Sequence, residues 1–205
     1  PKNMKMLYRK NTQSQVLEEK FRVMNIPYRL VGGIKFYERM EIKDVLGYMK
    51  LALNPGDDIA LKRIINTPVR GIGKTTVERI EDYAGGRKVS MFEALPQMID
   101  QREFGTGPTR KLREFWNLVE KIRENAKKLT LHEFYLSILD LTQYVQKLKE
   151  EDTPEADSRI ENLEEFDNAI SKFCEERGEE ATLQSFLEEM SLVSDVDDLD
   201  ENAEA

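Results

Sequence analysis

Apolar residues recur every three or four positions along most of the chain, which is the spacing of one face of an α-helix. Two further helices are indicated by Ser/Thr-x-x-Glu capping boxes, which begin at Ser90 and Thr130. No alternating strand pattern occurs after residue 57. The apolar spacing predicts helices over residues 41–53, 58–65, 75–84, 109–127, 157–177 and 182–193, and loops over 105–108 and 151–156.

The first fifty residues follow a different pattern. Short apolar runs at residues 4–8 and 28–31 are typical of strands, and an amphipathic helix is predicted between them over residues 12–24. A strand, a helix and a strand within this length match one parallel βαβ unit. Because parallel sheets have both faces covered, two such strands make a poor sheet by themselves. We therefore expect residues 1 to about 50 to be a truncated piece of a larger α/β domain.

The strongest helix-breaking segment is Asn54-Pro55-Gly56-Asp57-Asp58, which is our predicted domain boundary. Residues 1–57 would form the partial α/β domain, and residues 58–194 an all-helical domain. Residues 195–205 are rich in Asp and Glu with few large apolar side chains, so we expect them to be disordered. The predicted fold class is mostly α.

Composition excludes several classes of protein. With one cysteine, Cys174, and one histidine, His132, the chain has neither a disulfide framework nor the ligands of a zinc site. The absence of a long apolar run and of a signal peptide predicts a cytoplasmic protein without a membrane partner. Residues 1–149 hold 28 Lys and Arg against 18 Asp and Glu, whereas residues 150–205 hold 3 against 21. Any DNA binding is therefore expected to be local.

A proline and two glycines, in the stretch from Asn66 to Thr76, separate two of the predicted helices. Glycine carries no side chain, so a phosphate could come close to the backbone there. The first-turn amides of the second helix are unpaired donors at the positive end of its dipole, and Arg70 and Lys74 add full charges. The stretch resembles the helix-hairpin-helix element that binds a DNA backbone without reading bases. An ordinary helix connector also favours proline and glycine, and that alternative stays open.

Several segments occur in the order found in UvrD/Rep/PcrA-type superfamily 1 DNA helicases, and the chain resembles that family over nearly its whole length. The fourth segment below, with its Gly-Ile-Gly, resembles the hairpin of that family. The segments are residues 7–19, residues 26–29, residues 32–44, residues 66–73 and residues 159–166.

The resemblance implies a fragment of an ATP-dependent 3′→5′ DNA helicase of bacterial DNA repair or replication. Residues 1–57 would belong to the second RecA-like motor domain (2A), and residues 58–194 would be the inserted 2B subdomain, ending before motif V. The phosphate-binding loop, the Walker B acids and the arginines of motifs IV and VI are absent. We therefore expect ATP and Mg²⁺ to bind only in the full-length protein, and this chain alone to be inactive as an ATPase.

By the same resemblance, the expected partners are DNA at a junction of duplex and single strand, and the remaining helicase domains of the same chain. Single-strand contacts are expected at Arg39 and Arg9, and no catalytic or metal-binding residue is expected. Arg39 could instead pair with Glu41 or Asp44. Duplex contacts are expected at Thr67, Arg70, Gly71, Ile72, Gly73, Lys74, Thr75 and Thr76.

Other residues of these segments have structural interpretations. Phe36 and Tyr37 could equally belong to a domain core, and residues 159–162 are expected to serve packing and hydrogen bonding between helices. Two other functions stay open: a self-contained helix-hairpin-helix DNA-binding module, and a helical protein-interaction bundle with the acidic end as its docking face. The βαβ unit argues against the self-contained module, and absence of DNA binding at low salt would favour the bundle.

Overall fold

The computed structural model describes residues 20–21, 23–24, 36–101 and 103–191. These residues are helical or in turns, and none of them is assigned to a strand. The mostly α prediction is therefore confirmed for this part of the chain. The predicted strands at residues 4–8 and 28–31, and the acidic end at 195–205, lie outside the described residues.

Nine α-helices follow one another in the described part from residue 36 onward, with 3₁₀ turns at Phe36–Glu38 and Gly178–Glu180. They are α1 (Met40–Leu53), α2 (Asp58–Ile64), α3 (Lys74–Arg87), α4 (Met91–Asp100), α5 (Thr106–Ala126), α6 (Leu131–Thr142), α7 (Tyr144–Glu151), α8 (Pro154–Arg177) and α9 (residues 183–191).

Helix α1 lies at the centre of the bundle and packs against α2, α5, α6 and α8. Its apolar residues Ile42, Val45 and Met49 are fully buried. Gly47 faces α2, and a Cβ atom at this position would lie 2.8 Å from Cγ2 of Ile64. Real Cβ atoms do not approach so closely, so glycine is what lets the two helices pack at this distance.

The predicted boundary at residues 54–58 is a tight turn between two packed helices. The Asn54 side chain accepts a hydrogen bond from the Gly56 amide at 3.0 Å, and Asp57 caps α2 by accepting from the Ala60 amide at 2.8 Å. The hydrophobic core continues across this turn, from α1 into the later helices. A division of the chain at residue 57 stays a prediction, and α1 packs with the helical part.

Three helix bounds differ from the sequence prediction. Helix α3 continues through Gly85 and Gly86, because its end is set by Lys88 in the left-handed region at φ 56° and by a Val89 N–H to Ala84 carbonyl bond of 3.2 Å. Helix α5 begins at Thr106, inside the predicted loop 105–108. Helix α8 begins at Pro154, inside the predicted loop 151–156.

Prolines explain both early starts. Pro108 in α5 and Pro154 in α8 occupy the first turn of a helix, where the missing N–H would have had no partner. Thr153 caps α8 by accepting from the Ala156 amide at 3.1 Å. The sequence analysis also missed α7, which follows α6 after the single left-handed residue Gln143 at φ 54°.

Candidate nucleic-acid interface

The turn between α2 and α3 is held by the side chain of Asn66. Its Oδ1 atom accepts hydrogen bonds from the Arg70 amide at 2.9 Å and from the Ile72 amide at 3.1 Å. Ile72 is 3% exposed and belongs to the hydrophobic core. The middle of the hairpin is thus anchored from below, and Gly71 and Gly73 on either side of Ile72 are exposed.

The two glycines of the hairpin have different backbone conformations. Gly71 has φ 71°, in the left-handed region that L-residues rarely adopt. Gly73 has φ −81° and ψ 165°, an extended conformation open to any residue. A Cβ on Gly73 would meet no heavy atom within 4 Å. Gly71 is therefore needed for the turn, whereas at Gly73 the missing side chain leaves open space next to the backbone.

Gly73 is the N-cap of α3 and provides no side chain to accept from the first-turn amides. Its carbonyl accepts from Thr76 at 3.0 Å and from Val77 at 3.2 Å. Lys74 is the first helical residue, and its side chain is 90% exposed and 3.6 Å from the carboxylate of Glu78. Thr75 is exposed beside it. Free first-turn amides, the positive end of the helix dipole and an exposed ammonium together favour an anion at this point.

Arg70 points into the protein. Its guanidinium donates to the carbonyls of Ile64 at 3.0 Å and Pro68 at 3.1 Å, and to the Tyr48 hydroxyl at 2.5 Å. The hydroxyl of Tyr48 in turn donates to the Thr67 carbonyl at 2.6 Å. These carbonyls of the turn need donors because they are shielded from water. Arg70 and Thr67 are thus part of the support of the hairpin, which differs from the phosphate contacts that the sequence analysis expected of them.

The Tyr48 side chain, on α1, is 1% exposed. Burial raises the pKa of Tyr48 to about 12, and the nearby Arg70 charge lowers it only in part. The guanidinium of Arg70 lies 5.9 Å from the centre of the Tyr48 ring and 5.8 Å from that of Phe115 on α5. A neutral hydroxyl and two aromatic rings therefore hold the cation beneath the hairpin.

Arg39, the predicted single-strand contact, is only 6% exposed. Its guanidinium donates to Oδ1 of Asn162 at 2.6 Å and lies 4.9 Å from the centre of the Phe36 ring. Asn162 donates to the Glu41 carboxylate at 2.5 Å. The structure thus places Arg39 in a buried network between α1 and α8, so its position gives no support to a DNA contact. Arg9 lies outside the described residues.

The core interpretation of Phe36 and the hydrogen-bonding interpretation of residues 159–162 are confirmed. Phe36 is fully buried, and its ring lies 5.0 Å from that of Tyr37 and 6.4 Å from that of Phe166. Asn162, 5% exposed, joins Arg39 to Glu41 and is one of the few polar side chains buried in the described part.

Two supports of the hairpin were not found from the sequence. Tyr48 reads as a core residue of an amphipathic helix. Lys111, on α5, donates from Nζ to the Gly71 carbonyl at 3.1 Å. Both residues are distant from the hairpin in sequence, so neither carries a local signal. Asn66, in contrast, lies inside the recognised stretch, and its tendency to bond nearby amides is a general signal for such a role.

ATP with Mg²⁺ does not fit this hairpin. Gly73-Lys74-Thr75 matches the last three residues of the ATPase phosphate-binding loop, but Pro68 stands where that loop begins with glycine. The element before the turn is helix α2, whereas the phosphate-binding loop follows a strand. Within the described ranges, no three His, Cys, Asp or Glu side chains are placed to hold a metal ion. No helix in these ranges is long and apolar enough to cross a membrane.

Comparison with known proteins establishes the family. The profile of the UvrD-like helicase C-terminal domain matches residues 1–204, and the chain belongs to this family. It is 42% identical over 200 residues to the ATP-dependent DNA helicase PcrA of Staphylococcus aureus (strain Mu50 / ATCC 700699). It is 40% identical over 199 residues to the ATP-dependent DNA helicase PcrA of Bacillus subtilis (strain 168).

Each of these alignments covers 97% of this chain but 27% of the relative. The chain thus spans about a quarter of the length of the helicases it resembles. The family membership confirms the resemblance drawn from the order of the sequence segments.

Proposed function

We propose that this chain is the part of an ATP-dependent DNA helicase that holds duplex DNA, and that it binds the phosphodiester backbone at the hairpin. The observation that carries the proposal is the open, uncapped N-terminus of α3 behind Gly73. Membership in the UvrD-like family supports DNA as the ligand.

The binding groups are those that face solvent at the start of α3. A phosphate would accept hydrogen bonds from the amides of Lys74 and Thr75, near the charge of Lys74 and the side chain of Thr76. Ile72 anchors the turn in the core, and Arg70 and Thr67 hold its shape from below. Contacts to phosphates fix the position of a duplex but carry no base code, so binding should be weak and independent of sequence.

The proposal assigns ATP hydrolysis to other parts of the helicase, together with the ATP and Mg²⁺ sites. This chain would hold the duplex side of a junction with single-stranded DNA while the motor domains translocate, in the cytoplasm of a bacterium. We expect the isolated chain to release no phosphate from ATP, with or without DNA. DNA-stimulated ATP turnover by the purified chain would contradict this assignment.

Fluorescence anisotropy with a labelled hairpin duplex at low salt tests the site. Gly73→Val should fold, because φ −81° suits valine and the space around Gly73 is open. The branched side chain would occupy the approach to the α3 amides, so we expect affinity to fall at least fivefold. Lys74→Ala should weaken binding less and make the dependence of log K on log salt shallower by about 0.9, as for one phosphate contact.

Gly105→Val is the matched control. Gly105 is the N-cap of α5, has φ −63° and ψ 165°, and also has open space around it. It should bind DNA like the unmodified chain. If Gly73→Val also binds normally, the hairpin is a plain connector and the proposal fails. Absence of any binding at low salt would favour a protein-interaction bundle.

A further inference from the structure

Lys111 lies directly over the exposed face of Gly71. Its Nζ atom is 3.1 Å from the Gly71 carbonyl oxygen and would be 2.4 Å from a Cβ atom on Gly71. The residue comes from α5, 40 positions away in sequence. A second element thus brings a full positive charge to the middle of the hairpin.

The charge of Lys111 is not neutralised locally. An ammonium has three donors, and the Gly71 carbonyl uses one. Among the ion pairs of the described residues, none joins Lys111 to a carboxylate, whereas Lys74 pairs with Glu78 and Arg110 with Glu114. Two donors and the charge therefore remain for an anion.

A cleft of about 360 Å³ shows where that anion would come from. Pro68, Val69 and Arg70 of the hairpin line it on one side, and Lys111 and Phe115 of α5 line it on the other. Val69 is 82% exposed at its edge. The Cα atoms of Gly71 and Gly73 are two steps apart, at most about 7.6 Å, and one DNA strand brings a phosphate every 3.4 Å of rise. A strand seated at Gly73 would therefore place another phosphate within reach of Lys111.

We propose that Lys111 is a second phosphate-binding residue of the duplex site, contributed by α5. The inference rests on the proposed function of the hairpin. Lys111 would keep its bond to the Gly71 carbonyl and donate a further N–H to a phosphate next to the one held by α3. The Glu114 carboxylate lines the same cleft and would oppose phosphate binding there.

The test is the salt dependence of duplex binding, measured by the same anisotropy assay. With two contacts, at Lys74 and Lys111, log K should fall with log salt with a slope of about −1.8, and with one contact about −0.9. Between 50 and 200 mM salt, the unmodified chain should lose about 12-fold in affinity and Lys111→Met about 3.5-fold. Lys111→Arg should restore the steeper slope, and Glu114→Gln should strengthen binding.

Lys121→Met is the control, because Lys121 is an exposed lysine of the same helix that pairs with Glu124. It should leave affinity and slope unchanged. A Lys111→Met variant that binds more weakly with an unchanged slope would show that Lys111 only positions Gly71, and would overturn the inference. So would unchanged binding, provided that Gly73→Val still weakens it. If Gly73→Val has no effect either, the proposed function itself fails.

Discussion

Replacing Tyr48 by Phe tests whether the hairpin is held from below. The substitution removes the hydroxyl that donates to the Thr67 carbonyl and accepts from Arg70, and it leaves the ring in place. A net hydrogen bond is worth about 1 kcal/mol, and one to a charged group about 1.5–3 kcal/mol. Arg70 is only half-buried and water can reach it, so the lower end applies. We expect Tyr48→Phe to lower the free energy of unfolding by about 2–3 kcal/mol.

Tyr135→Phe is the matched control. Tyr135 is also 1% exposed, and its hydroxyl makes one bond, to the Leu163 carbonyl at 2.7 Å. Its loss should cost about 1 kcal/mol. At about 2–4 °C per kcal/mol for a chain of this size, the melting temperature should fall by about 4–12 °C for Tyr48→Phe and by about 2–4 °C for the control.

The assay is urea unfolding followed by circular dichroism, with duplex binding measured in parallel. Tyr48→Phe should also weaken duplex binding, because Arg70 and the Thr67 carbonyl lose a shared partner within the hairpin. Tyr135→Phe should not affect binding. Equal stability losses in the two variants would refute the role assigned to the Arg70–Tyr48 bond. Unchanged duplex binding by Tyr48→Phe would show that the grip on DNA does not depend on this support.

Three further predictions concern stability. Gly71→Ala should cost about 1–2 kcal/mol in urea unfolding because φ is 71° there, whereas Gly73→Ala should be neutral; equal costs would contradict the assigned conformations. Asn162→Ala should cost about 3 kcal/mol, because it leaves a buried guanidinium and a buried carboxylate without their shared partner; a loss below about 1 kcal/mol would contradict that role. The raised pKa of Tyr48, about 12, stabilises the folded chain below pH 10, and this contribution should be lost between pH 10 and 12, as unfolding and tyrosinate absorbance at pH 9 and 11 would show; Tyr48→Phe should lose less stability over that interval.

The fold was largely predictable from the sequence because its helices carry strong local signals. The capping boxes at Ser90 and Thr130 both form, with the Glu93 and Glu133 side chains returning to the cap amides. The errors fall where local signals conflict. Gly85 and Gly86 suggested an earlier end of α3, although glycine can continue a helix when the next residue forms the cap.

The candidate site was predictable only in part. The turn and the two helices beside it follow from the spacing of proline and glycine. The direction of Arg70 does not follow, because a cation next to Gly-Ile-Gly suits a phosphate and a buried carbonyl equally well in sequence. Only the packing of α1 and α5 under the turn, with Tyr48 and Phe115, shows that the guanidinium points inward.

The bonds made by Asn66 have a thermodynamic consequence. They close the turn within the protein itself, so a ligand meets a loop whose backbone entropy has already been lost on folding. Association at such a surface should involve little ordering of the chain. Calorimetry should then give a small heat-capacity change on duplex binding, unlike the large negative change of a segment that folds as it binds. Asn66→Ala would move part of that ordering to the moment of encounter, and the entropy of association should become less favourable.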